Sequence, residues 1–337
     1  MYSIEEITKI IIESFDTENP SEFNRAFMKE PKVLYQPIEY AMSQGGKRIR
    51  PLLVLMAADM FGGDLNKALY PAHSIEILHN FTLLHDDIMD VSAIRRGMPT
   101  IYKKFGTNAA ILSGDTMCAI SYRYLLDPGF AKLSTNEERI DLLATLSLAF
   151  VEVCEGQALD MEFETRDDVS IEEYIEMIRL KTSALIASSL KMGAIIAGAK
   201  KEDIEYIYKF GEYIGLAFQF QDDILDCWSN FEEFGKLTGK DIEENKKTFL
   251  YLKALELGSE EEKKELRELY SGIEIDKKEK EERVMSIYER LEIRSIAFEL
   301  MKDYNQKAIE SLEKISLPDN NKANLISFAE SLMKRNN

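Results

Sequence analysis

The chain has 337 residues, 45% of them hydrophobic, and its 60 acidic side chains against 42 basic ones leave a net charge of −18. That balance argues against a nucleic-acid footprint and confines any phosphate binding to local basic islands held by cations. Cys118, Cys154 and Cys227 lie far apart with no C-x-x-C pair, a pattern of reduced cytoplasmic thiols rather than of disulfides or zinc.

In chain order, "MYSIEEITKIIIESF" places Glu5, Glu6 and Lys9 before a short apolar run. A signal peptide would be basic before its apolar run, so none is expected here, and Ser3 with Glu6 forms a capping-box signature. "GGKRIRP", Gly45 to Pro51, offers two glycines for close backbone approach and the cations Lys47, Arg48 and Arg50 for phosphate oxygens. The apolar runs Leu52–Ala58 and Met192–Ala199 are too short to cross a bilayer, so no stable membrane insertion is expected.

Pro71 marks a helix start before "AHSIEILHNFTLLHDDIMD", which holds all three histidines. On that helix Asp86 and Asp90 share a face, and His79, seven residues before Asp86, shares it too. His85, turned about 100° from Asp86, reads as packing. "RRG", Arg95 to Gly97, follows at once.

Between Pro128 and Pro318 there is no proline, and helix-period patterns fill the interval. Helix starts are expected at the capping-box pairs Ser134/Glu137, Ser170/Glu173 and Ser259/Glu262, the second opening a helix over Ile171–Leu190. "FQDDILD", Phe220 to Asp226, repeats the D-D-x-x-D spacing of Asp86–Asp90, and Lys236, Lys240, Lys246 and Lys247 follow it. The charge-dense segment 258–283 reads as a solvated helix, a turn and a second helix start, with no chemistry assigned. Alternating strands and Gly/Ser/Pro-rich linkers are absent, so the expected fold is all-α, a single-domain bundle of many antiparallel helices spanning residues 1–337.

Two acidic motifs inside apolar runs need a reason. Like charges at i,i+4 cost a helix about 0.2–0.5 kcal/mol per pair, and the chain accepts this twice. Carboxylates paired along a helix suit a hard cation such as magnesium, which keeps waters and shares one or two carboxylates with substrate phosphates. A lone D-D-x-x-D is more often a solvated helix end. Two copies, each flanked by basic residues, point instead to a diphosphate bridged by cations.

The order and spacing of "GGKRIRP", "LLHDDIMD", "RRG", "GQALD", "RLKTSALI", "FQFQDDILD" and "GKLTGKD…NKKT" closely resemble the trans-type isoprenyl diphosphate synthases, from about Tyr35 to Thr248. This is the polyprenyl synthetase family, which includes farnesyl and geranylgeranyl diphosphate synthases. The resemblance implies the isoprenoid synthase fold, with helices around a central active-site cavity, and a homodimer. It implies that Asp86, Asp90 and Asp222 hold three Mg2+ ions (Mn2+ as a substitute) on an allylic diphosphate, with Asp87, Asp223 and Asp226 ligating or supporting. Arg95, Lys181 and Lys236 would grip that diphosphate. Gly46, Lys47, Arg50, His79 and Arg96 would bind isopentenyl diphosphate. Thr182 and Gln219 would line the carbocation path, Gln157 and Asp160 would sit near the metals, and a loop around Lys246 or Lys247 would close the site.

The implied reaction is ionisation, condensation and elimination, in a dry apolar tunnel that does not quench a carbocation. A class I terpene cyclase would carry Asn, Ser or Thr and Glu in its second metal motif, whereas Asp222-Asp223-x-x-Asp226 stands here. A non-catalytic partner subunit would have decayed motifs, and a di-iron bundle would need Glu-x-x-His pairs. Within the family, the residues four and five places before the first motif set tunnel depth. Thr82 and Phe81, one aromatic at the fifth place, resemble the geranylgeranyl type, with fifteen- and twenty-five-carbon products as neighbours. Phe81 is rotated roughly 140° from Asp86, and Leu78 lies a turn further down as a candidate floor residue.

Overall fold

The computed structural model describes residues 1–16, 27–228, 239–272 and 275–334. The all-α expectation is met, with one short hairpin as the exception. The order is α1 Ile4–Ser14, α2 Lys32–Ser43, α3 Ile49–Met60, α4 Leu65–Met89, β1 Ile94–Arg95, β2 Met98–Pro99, α5 Ile101–Phe105, α6 Thr107–Leu125, α7 Pro128–Leu133 and α8 Asn136–Thr165. Then come α9 Ile171–Ile178, a π-helical turn Arg179–Ser183, α10 Ala184–Ile196, α11 Lys201–Trp228, α12 Lys240–Glu243, α13 Phe249–Leu257, α14 Glu260–Leu269, α15 Lys277–Arg290, α16 Ile293–Glu313 and α17 Asp319–Lys334.

Three of the four expected capping boxes form, at Ser3/Glu6, Ser170/Glu173 and Ser259/Glu262. The fourth forms one residue later. Ser134 ends α7 with its hydroxyl donating to the Phe130 carbonyl, so Thr135 takes the cap, its N–H 2.7 Å from Glu138 Oε2 and its Oγ1 accepting from the Glu138 N–H. Pro71 does not open its helix: α4 begins at Leu65, where Asp64 accepts from the Asn66 N–H at 2.9 Å, and Pro71 lies inside. The expected helix over Ile171–Leu190 is interrupted by the π turn. Segment 258–283 forms α14 and the start of α15, as expected.

The described chain packs into two compact units, one of Met1–Phe150, Leu185–Tyr208 and Lys314–Leu325, the other of Val151–Ala184, Lys209–Glu313 and Ile326–Asn337. In the first, α4 packs chiefly on α6 and α3. Its middle is buried all round, every residue from Tyr70 to Leu78, with Ile75, Ile77 and Leu78 fully so, as a core helix requires. His73 is buried with them, its ring stacked on Phe15 at 3.9 Å.

The second unit has its own core. Phe220 stacks on Tyr304 at 5.6 Å and meets Phe249 edge-on at 5.3 Å, while Val284, Ile287 and Tyr288 of α15 fill the layer beside them. Among the described residues one helix, α8, is long and apolar enough to cross a membrane, with an 18-residue window of mean hydropathy 1.4, a third of which is buried.

Candidate active site

In the first unit, the "GGKR" turn, α4 and the β hairpin build a basic cluster. The hairpin loop is Arg96-Gly97, both at positive φ (54° and 73°), as a two-residue type I′ turn demands. Arg95 is the last residue of β1 and Arg96 the first of the turn, where the chain reverses, and their side chains part company. Arg95 turns to the first motif, with Nε 2.8 Å from Asp87 Oδ1 and Nη2 3.0 Å from Asp86 Oδ2. Arg96 instead donates to the Gly45 carbonyl.

Gly46 is required by its backbone conformation, which L side chains rarely adopt. Its φ is +121°, and a Cβ there would lie 2.8 Å from the Arg96 guanidinium carbon. Arg50 Nη1 lies 3.0 Å from His79 Nε2. Burial, reinforced by Arg50, Arg96, Arg95 and Arg48, holds His79 well below its ordinary value, so the neutral ring accepts at Nε2 and keeps its proton on Nδ1. Burial also lowers Arg50 to about 10, against the attraction of Glu76. Gly46, Arg50, His79, Arg95 and Arg96 are thus brought together beside Asp86 and Asp87, while Lys47 is exposed on the turn.

Arg48, read from sequence as one more phosphate donor, faces the other way. Its Nη1 pairs with buried Glu76 Oε1 at 2.7 Å, Nη2 donates to the Met42 carbonyl at 2.5 Å, and the guanidinium lies over the Phe15 ring. His85 packs as expected: its ring meets Phe81 edge-on at 4.7 Å and occupies the space that a side chain on Gly114 would need. Phe81 is buried and also meets Phe150 at 5.4 Å. Leu78 is fully buried, and Thr82 is half-buried with its hydroxyl on the His79 carbonyl.

The second unit holds the other motif residues around a small cavity of ≈ 100 Å³, lined among others by Asp160, Lys181, Thr182, Gln219, Asp241 and Lys246. The π turn places Lys181 and Thr182 there; a π turn inside an α-helix frequently marks a functional position. Gly156 of α8 permits it, since a Cβ there would lie 2.4 Å from the Lys181 nitrogen. One turn on, Asp160 Oδ2 meets Lys181 Nζ at 2.5 Å. Gln157 Nε2 is buried without a partner among the described residues.

A hydrogen-bonded chain then runs from Thr182 Oγ1 to Gln219 Oε1 (3.1 Å), from Gln219 Nε2 to Asp223 Oδ1 (3.0 Å) and from Tyr174 Oη to Asp223 Oδ2 (2.5 Å). Asp223 is therefore buried and doubly hydrogen-bonded, whereas Asp222 is half-buried. Burial pushes Asp223 up to about 8, Asp241 adds to the shift, and the bonds from Tyr174 and Gln219 oppose it. Asp226 accepts the Asp241 N–H at 3.0 Å, so its carboxylate helps to hold the following loop. On that loop Lys246 Nζ lies 3.5 Å from Glu244 and 4.0 Å from Asp241, while half-buried Lys247 reaches Asp167 at 3.4 Å. Lys236 lies outside the described residues.

The donor set suits a hard divalent cation. It consists of carboxylate oxygens; burial is the main cause of the upward shift of Asp223, and the neighbouring Asp241 and Asp222 charges add to it, a repulsion that a cation relieves. Among the described residues no three His, Cys, Asp or Glu side chains converge tightly enough to hold an ion alone. Magnesium asks for no such cage, because it retains waters and takes substrate oxygens.

An all-α chain with two D-D-x-x-D helices, a basic cluster beside one and a lysine–threonine–glutamine cavity beside the other has the equipment of a prenyltransferase. The polyprenyl synthetase family model matches residues 31–291, and the chain belongs to that family. It is 40% identical over 285 residues to the geranylgeranyl diphosphate synthase of Sulfolobus acidocaldarius, covering 84% of each chain. It is 38% identical over 274 residues to the geranylfarnesyl diphosphate synthase of Natronomonas pharaonis, covering 77% of this chain and 79% of the relative. Among solved structures, a geranylgeranyl pyrophosphate synthase superposes with a TM-score of 0.90 at 40% identity, covering 99% of both chains.

Sequence reading missed Tyr174, Glu76 and the inward turn of Arg48. Tyr174 meets Asp223 across 49 residues of chain, and Arg48 meets Glu76 across 28, so no local pattern announces either. Asp241 was legible only as a letter in "GKD".

Proposed function

We propose that the protein condenses isopentenyl diphosphate head-to-tail with allylic diphosphates (dimethylallyl, geranyl and farnesyl) in isoprenoid biosynthesis, and that its product is geranylgeranyl diphosphate. The carrying observation is the cluster of Arg50, Arg95, Arg96 and neutral His79 beside Asp86 and Asp87, a basic island in a chain of net charge −18. Gly46, Lys47, Arg50, His79 and Arg96 take isopentenyl diphosphate. Arg95, Lys181, Lys236 and Lys246 take the allylic diphosphate, and Thr182 and Gln219 border the carbocation path. Both lysines line the cavity, and Lys246 is favoured because its ammonium lies 4.0 Å from the cavity residue Asp241, whereas that of Lys247 reaches Asp167 outside the lining.

Asp86, Asp90 and Asp222, with Asp87, Asp223 and Asp226, hold Mg2+, for which Mn2+ substitutes. When bound, the metal neutralises charge on the departing diphosphate. The side chains do the rest by position: cationic donors stabilise the leaving group as its charge develops, and no protein base is required if the released diphosphate takes the proton.

The twenty-carbon assignment follows the names of the relatives and the pair Phe81/Thr82, with the fifteen- and twenty-five-carbon products as the neighbouring alternatives. The family match crosses both units, which supports reading residues 1–337 as one polyprenyl synthetase domain. We assign the protein to the cytoplasm and to a homodimer, the latter favoured by exposed Ile111 and Leu112 on α6 and Ile140 and Leu148 on α8. The deciding experiment is chromatography of products from farnesyl and isopentenyl diphosphates with Mg2+. A twenty-carbon diphosphate is expected; forty-carbon chains would overturn the length, and no elongation would overturn the reaction.

A further inference from the structure

The charged helix α15 reaches the loop that carries Lys246. Lys280, on its first turns, is 7% exposed although its neighbours in sequence are solvated. Its Nζ donates to the Ile242 carbonyl at 2.5 Å and to Asn245 Oδ1 at 2.6 Å, lies 3.4 Å from the Glu243 carbonyl, and stands 4.9 Å from the Tyr270 ring centre. The two carbonyls are at the end of α12, where a helix leaves its last C=O groups without internal partners. Asn245, next in line, has a φ of 59°, so the chain reverses just where the ammonium grips it.

The start of α12 is held separately. Asp226 takes the Gly239 N–H on its carbonyl at 2.7 Å and the Asp241 N–H on its carboxylate. The two anchors together hold residues 239–245, from which Asp241 lines the cavity, and Lys246, Lys247 and Thr248 line it directly after the second anchor. A lysine buried to this degree costs desolvation, offset here by three oxygens and an aromatic face. A surface helix has no need of such an arrangement for its own sake.

We propose that Lys280 is a positioning residue for the diphosphate grip: from α15 it clamps the 239–248 loop in the shape that presents Lys246 to the cavity. The proposal rests on the reading that this cavity takes the allylic diphosphate. It gives segment 258–283 a part in function that its composition conceals.

The test compares Lys280→Met, which keeps the stem and removes the donors, Lys280→Arg, which restores them, and Lys278→Met, which removes an exposed neighbour. In steady-state kinetics Lys280→Met raises the KM for farnesyl diphosphate about tenfold, leaves that for isopentenyl diphosphate within about twofold, and Lys280→Arg recovers most of the loss. In parallel, trypsin acts on the unliganded proteins, with scission after Lys246 and Lys247 read by mass. Cleavage there quickens about tenfold in Lys280→Met and keeps the wild-type rate in Lys278→Met. Should Lys280→Met fail to fold, Asn245→Gly removes one of the oxygens at a position that suits glycine, and a rise of about threefold in the same KM is expected. Wild-type KM and wild-type scission in Lys280→Met overturn the proposal. So does an equal rise in both KM values without rescue by arginine, which marks a merely structural lysine. If the wild-type protein elongates nothing, the reading of the cavity fails, while the scission rates still decide whether Lys280 clamps the loop.

Discussion

Arg48 and Glu76 form an ion pair at 2.7 Å with side-chain exposures of 10% and 3%, so the "GGKR" turn is fastened to α4 by a bond that water hardly reaches. Breaking one side of such a pair leaves a buried charge alone and costs about 3–5 kcal/mol. Glu76→Ala is therefore expected to lower the urea midpoint steeply, and Glu76→Gln, which keeps an acceptor, to lower it less. An unchanged midpoint in Glu76→Ala would show that the pair contributes nothing.

Removal of divalent metal by chelation should abolish turnover, and Asp86→Ala or Asp222→Ala should reduce it at least about a hundredfold with the far-ultraviolet helix signal intact. Asp86 is also the partner of Arg95, so Asp86→Asn, which keeps a hydrogen-bond acceptor, separates metal binding from arginine orientation. Wild-type rates after exhaustive chelation would refute the metal assignment.

Phe81 lies between His85 and Phe150 and has little freedom to move aside. Phe81→Ala is expected to lengthen the product by one or more five-carbon units, at an expense in stability of about 3–5 kcal/mol for a buried ring. If product length stays put while the thermal midpoint falls, Phe81 is core packing and nothing more.

His73 carries a pH signature. Burial, with Arg48 adding to it, depresses its folded value from 6.5 to about 3. A depressed value means that the unfolded chain binds the proton more readily, so the stability due to a neutral His73 is present above about pH 6.5 and is lost as pH falls toward 3. By pH 5 the loss should reach about 2 kcal/mol. His73→Phe keeps a ring against Phe15 and should flatten the decline in midpoint between pH 7.5 and 5 relative to wild type; parallel curves would refute the assignment.

Leu112 and Leu148 are 59% and 55% exposed, an uneasy state for two leucines on long helices. Light scattering should report a dimer for the wild type, and Leu112→Glu with Leu148→Glu should yield monomers. A monomeric, fully active wild type would remove the dimer from the proposal.

Legibility in the sequence followed the reach of the interactions. Helix class, three capping boxes and the shared face of His79 and Asp86 are local or periodic, and could be read directly. The cap at Thr135 was misplaced by one residue because two adjacent hydroxyl residues each have a glutamate three places on, and only the end of α7 chooses between them. Arg48 has the same chemistry as Arg50; its inward turn depends on Glu76, which no spacing rule connects to it. The buried Lys280 was hidden for a related reason, since a lysine amid glutamates looks solvated until something packs over it.

The π turn at Arg179–Ser183 has a consequence for how such chains can change. A π turn accommodates one more residue than the α-helical turn it replaces, and each residue of an α-helix is worth about 100° of rotation. A helical wheel drawn unbroken from Ile171 to Leu190 therefore drifts out of phase after Ile178. Deletion of Arg179 or Leu180 would realign the wheel and swing Lys181 and Thr182 away from Asp160 and Gln219 without altering either letter. Insertions and deletions here act as rotations, and aligned identity is blind to them.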